Sequence, residues 1–124
     1  MKPFHVQLVA GEGRPLEVRF DDACRRLEAI ERLHLELDGS FVWVSDRWQI
    51  EGMLYDRDEC LQYVELKGTA PRPAWDTLLA VFIPSPGAGS LISLPSGDLY
   101  DLHTFESLLW SSTAQGSRQD GSGE

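Results

Sequence analysis

Hydrophobic and polar positions change period several times along the chain, and each change marks an element. Residues 4–10 alternate weakly, Gly11-Glu-Gly-Arg-Pro15 is a turn cluster, and Leu16-Glu-Val-Arg-Phe20 alternates cleanly, which predicts a first hairpin. Phe20, Ala23, Leu27 and Ile30 then recur at helical spacing, so a helix capped by Asp21 or Asp22 is expected to run to about Arg32. Residues 33–37 and 40–44 alternate on either side of Asp38-Gly39, a strong hairpin turn. Two longer alternating runs follow between Trp48 and Gly68, joined by a charged turn at residues 57–59. Their period of two puts Ile50, Leu54, Val64 and Leu66 on one face, and Glu51, Met53, Tyr55, Leu61, Tyr63, Glu65 and Lys67 on the other.

The period then returns to that of a helix. Pro73 suits a first helical turn, and Trp75, Leu78, Leu79 and Phe82 follow at i, i+3, i+4, i+7. Residues 84–90 are a Pro/Gly/Ser loop, residues 91–94 a short strand, and Asp98 is placed to cap a last helix with Leu99, Leu102, Phe105 and Leu109 inward. The expected fold is a single α+β domain over residues 1–110. Its central, mostly antiparallel sheet is made of an N-terminal hairpin plus a meander, with two packed helices and a C-terminal helix. Residues 111–124 carry no apolar pattern and read as a flexible polar tail.

Composition narrows the class. At 124 residues, 42% hydrophobic and 25% charged, the chain is long enough to bury one core without disulfides or metals. Cys24 and Cys60 form no C-x-x-C pair, which reads as two reduced thiols in a cytoplasmic protein. His5 and Gln7 break the N-terminal apolar run, against a signal peptide, and no stretch reaches the length of a membrane span. Twenty acidic residues against 11 basic give a net charge of −9, and the tail contributes only Arg118, Asp120 and Glu124 to it. The acidic body repels phosphate backbones and anionic membranes and favours a basic protein partner. No oligomeric state follows from the pattern.

Candidate chemistry gathers on the long hairpin. A chain reversal about residues 57–59 sets Glu51 opposite Glu65, so two carboxylates and Lys67 share a face. The order of elements from residue 21 to 94, with a carboxylate followed by Glu65-Leu-Lys67, resembles the core of the PD-(D/E)XK, or restriction-endonuclease-like, nucleases. The resemblance implies a divalent-metal phosphodiesterase. Glu65 and Lys67 match the third-strand motif, Glu51 the second-strand acid, and Glu31 or Glu28 the helix acid, with Glu31, Glu51 and Glu65 holding magnesium or manganese. On the same hairpin Trp48, Met53, Tyr55 and Tyr63 make an aromatic patch rimmed by Glu51, Glu65 and Lys67, the composition of a protein-binding surface. His5, His34 and His103 fall in three different elements and form no site in the sequence. The leading expectation is a non-catalytic interaction or accessory domain without a cofactor, and the nuclease is the alternative.

Overall fold

The computed structural model describes residues 1–16, 18–83 and 89–110. The expected polar tail, and residues 84–88 of the expected loop, lie outside the described residues.

Among the described residues, seven strands and three α-helices follow the order β1 (Phe4–Ala10), α1 (Phe20–Glu28), β2 (Leu33–Leu35), β3 (Ser40–Val44), β4 (Gln49–Arg57), β5 (Cys60–Thr69), α2 (Arg72–Phe82), β6 (Gly89–Ser93), β7 (Leu99–Asp101) and α3 (Leu102–Trp110). The strands make one sheet in the order β2-β3-β4-β5-β1-β6-β7, and every neighbouring pair is antiparallel. This is the α+β class that the alternating patterns predict.

The expected N-terminal hairpin does not form. β1 pairs with β5 on one side and β6 on the other. The alternating segment after the turn runs instead beside the start of β5: the Leu16 amide donates to the Gln62 carbonyl at 3.0 Å, and the Leu61 amide to the Val18 carbonyl at 2.8 Å. Clean alternation specifies that a segment faces both core and solvent, but leaves open which backbone it pairs with. β1 gains two full partners in the middle of the sheet, where a hairpin with residues 16–20 supplies one.

Alternate residues of the strands build the core, even-numbered ones along β1, β4 and most of β5. Val6, Leu8, Ile50, Val64, Leu66 and Leu91 are fully buried, and α1 adds Ala23 and Leu27 to the same cluster. From α2 come Trp75, Leu78 and Phe82, with Phe105 from α3. Trp75, entirely buried, is the hub: its ring lies 5.2 Å from Phe4, 5.6 Å from Phe105 and 5.2 Å from Trp110, and its Nε1 donates to Glu106 at 3.0 Å. Because α1, α2 and α3 all feed this one cluster, they cover a single face of the sheet. The opposite face is left to solvent, as antiparallel sheets permit.

Both outer helices start or stop differently from the pattern. α1 ends at Glu28 rather than near Arg32: the Ile30 amide turns back to Leu27, and Arg32 takes φ +69°, which breaks the helix to lead into β2. Asp21 and Asp22 lie inside its first turn, where the helix dipole favours them; the first amide, that of Phe20, is satisfied by the Glu59 carbonyl at 2.9 Å. α3 starts later than expected. Leu99 belongs to β7 and is 54% exposed, and the cap is Asp101, whose carboxylate accepts from the Thr104 amide at 2.7 Å.

Candidate functional site

The β4–β5 hairpin dominates the uncovered face, and its turn fixes where every side chain stands. Asp58 and Glu59 form a two-residue connection with φ +53° and +68°, the mirror-image turn that matches strand twist. Glu59 is an uncommon residue for that conformation. It is held from outside, by the Phe20 amide on its carbonyl and by Arg19, which donates to its carboxylate at 2.8 Å. Beyond the turn a bulge at Gln62 inserts one residue, since Asp56 pairs with Leu61 while Tyr55 pairs with Tyr63.

Turn and bulge together correct the expected register. Glu51 faces Lys67, not Glu65, and Glu65 faces Met53. The error is two residues along the strand, so it preserves the faces: Glu51, Met53, Tyr55, Tyr63, Glu65 and Lys67 do share the uncovered side. Leu61 does not join them. The bulge flips it inward, and it is fully buried.

Glu65 is the centre of what does assemble. Its Oε2 lies 2.5 Å from His5 Nε2 on β1, and its Oε1 accepts from the Tyr55 hydroxyl on β4 at 3.3 Å. A carboxylate only accepts, so Nε2 carries the proton in this pair. The Tyr55 ring stacks on Tyr63 with centroids 4.5 Å apart and planes 18° from parallel. Burial first, then the neighbouring Glu65 carboxylate, raises the Tyr55 phenol above its ordinary pKa, so it stays a neutral donor. His5, Glu65, Tyr55 and Tyr63 thereby form one connected row across three strands. Val42, Met53, Gln7 and Ile92 are half-buried beside it, and Glu51 and Lys67 are exposed.

His5 is the residue that the sequence pattern missed. Its role depends on β1 pairing with β5, a contact between residues 60 positions apart that no local period reports. The available signal was the alternation of Phe4, Val6 and Leu8 with His5 and Gln7, which assigns those two polar residues to a sheet face.

The other expected members separate. Trp48 turns to the core side: it packs edge-on against Trp43 at 5.1 Å, and both lie against the buried cluster, so Trp48 leaves the aromatic patch. Glu31 sits exposed in the turn after α1, at the β2 edge, with β3 and β4 between it and β5. At roughly 4.8 Å per strand that places it far from Glu65. Glu28 belongs to α1, on the covered side. Glu51, Glu65 and Lys67 do line one shallow hollow of about 190 Å³, together with Gly52 and Met53. Among the described residues, no group of three or more His, Cys, Asp or Glu stands close enough to share an ion. The three-acid set that the nuclease resemblance implies for magnesium or manganese therefore does not converge on this hollow.

A larger cavity, about 620 Å³, lies on the other side between α2 and α3. Most of its polar rim holds the helices, Arg72 bonding Asp76 and Glu106 and Asp101 capping α3, and His103 completes it. Cys24, half-buried in α1, has its thiol pKa raised by desolvation and by Glu28, Asp21 and Asp56, which keeps it protonated and unreactive. No helix among the described residues is long and apolar enough to cross a membrane.

Comparisons with protein-family models, curated proteins and solved structures gave no match.

Proposed function

We propose that this protein is a non-catalytic interaction module that docks a basic protein partner on the uncovered face of its sheet. The observation that carries the reading is the division of labour across the sheet: three helices close one face, and the other presents Met53, Tyr55 and Tyr63 half-buried around Glu65. Aromatic residues and Met at the centre of a patch with charges at its rim are the composition of protein interfaces. Glu36, just after β2, lines a hollow with Val42 and Glu51, so the rim carries Glu51 and Glu36 against Lys67, and with −9 on the chain as a whole a cationic partner is steered toward it.

Amide-resolved NMR titration of the full chain with short basic peptides of varied sequence, with acidic peptides as controls, tests this. Perturbations are expected at β1, β3, β4 and β5 positions of the uncovered face. Perturbations confined to the helical side, or equal for acidic peptides, contradict it.

The competing reading, a divalent-metal phosphodiesterase, rests on the hollow that Glu51, Glu65 and Lys67 share. Magnesium- or manganese-dependent cleavage of DNA or RNA by the purified chain, abolished in Glu65→Ala, would establish it over the binding module.

A further inference from the structure

We infer that the uncovered face recognises an arginine side chain of its partner, with the guanidinium bonded to Glu65 and lying against the Tyr55–Tyr63 pair. The inference rests on the docking reading above and names the group being read.

Glu65 is built as a receptor rather than left as a loose surface charge. Each of its oxygens already accepts one hydrogen bond, from His5 and from Tyr55, which fixes the orientation of the carboxylate. A carboxylate has about four lone-pair sites, so roughly two stay open to an incoming donor. The side chain is 31% exposed, enough to be reached from solvent. A carboxylate held in place before binding loses little freedom when its ligand arrives.

The tyrosine pair supplies the second half. Tyr55 is tied to Glu65 through its hydroxyl and to Tyr63 through the stack, so an aromatic surface and a carboxylate are locked side by side. A planar cation that both stacks and donates in a fork matches this pairing, and guanidinium is that group. An ammonium is a strongly hydrated point charge that satisfies the carboxylate but gains less from the ring. Glu51 accepts from Gln49 Nε2 at 3.3 Å and faces Lys67 in register, whereas the Glu65 carboxylate is the one tied to the tyrosine pair.

The test is NMR titration of the full chain with three capped tripeptides, Gly-Arg-Gly, Gly-Lys-Gly and Gly-citrulline-Gly. Shifts centred on Tyr55, Tyr63 and Glu65 are expected with the arginine peptide, weaker ones with lysine, and none with citrulline, which keeps the shape and loses the charge. Glu65→Gln and Tyr63→Leu should each weaken arginine binding, by about tenfold for Glu65→Gln as the loss of charge-assisted bonds implies. Asp21→Asn, which removes one exposed charge from the helical side, should leave it unchanged. Spectra of both face variants must keep the core resonances of the parent, which separates lost recognition from lost folding. Equal binding of arginine and lysine, or unaltered binding by both face variants, overturns the inference. If basic peptides still map to this face without preferring arginine, the inference fails while the docking reading stands. Concentration-dependent broadening of the face without peptide would mean that a second copy of the chain covers it, which also overturns the inference.

Discussion

On β5, Val64 and Leu66 are fully buried while Glu65 and Lys67, one residue away, face solvent. The same backbone thus serves two surfaces that obey different rules. On the covered side, residues far apart in sequence meet through shape: Trp75 is enclosed by Phe4, Phe105 and Trp110. On the uncovered side they meet through directed polar contacts, His5 with Glu65 and Glu65 with Tyr55. Because a strand's period of two assigns alternate residues to the core and to the polar row, substitutions in one can be made without touching the other.

Substitutions on the two sides should therefore separate cleanly. The largest loss of stability is expected for Trp75→Ala, about 3–5 kcal/mol from cavity formation, measured by urea unfolding. Next comes Gly52→Ala, where a Cβ would stand 2.1 Å from the Phe41 ring on the covered side. Overpacking of this kind costs about 1–3 kcal/mol. It would weaken peptide binding only in proportion to unfolding. Glu65→Gln reverses that profile: the charge-assisted bonds weaken, so arginine-peptide affinity falls while the urea midpoint moves less than in either core variant.

The smallest effects lie in pH, and they report different regions. Hydrogen bonds to the Thr104 amide and hydroxyl hold Asp101 below its ordinary pKa, and the hydroxyl and amide of Ser40 do the same for Asp38. These contributions are complete above the ordinary aspartate value of about 3.9 and are lost as pH falls through the lower folded values. Asp101→Asn should flatten the acid limb of the stability profile. Tyr55 titrates with the opposite sign: its neutral form is favoured in the fold, so its contribution is complete below about pH 10 and is lost as pH rises through the raised value. Ultraviolet titration should show one phenol moving toward the ordinary range in Glu65→Gln.

The sequence made the two faces legible and left their registration hidden. Apolar spacing located α2, with Trp75, Leu78, Leu79 and Phe82 all buried, because a helix's pattern is local. It also separated Ile50, Leu54, Val64 and Leu66 from Met53, Tyr55, Tyr63 and Glu65. What it missed depended on chain pairing or on single-residue irregularities. The position of the turn and the bulge at Gln62 together moved Glu65 from Glu51 to Met53, and the bulge buried Leu61. The pairing of β1 with β5 brought in His5, and Trp48 went to the core because Trp43 was there to meet it. Glu31 lost its place in a helix when Arg32 turned left-handed. Alternation tells a residue which way to face; only the folded sheet decides whom it faces.

On the proposed reading, the uncovered face recognises a cationic partner without being needed for folding. The Tyr55→Ser/Tyr63→Ser double variant tests it when unfolding free energy and arginine-peptide affinity are measured on the same preparation. The stack itself contributes about 0.5–1.5 kcal/mol beyond the area it buries, so the double variant should lose less stability than Trp75→Ala and stay folded. Affinity should fall by about tenfold or more. Parent-like affinity in a folded double variant would mean that the aromatic pair is not the docking surface.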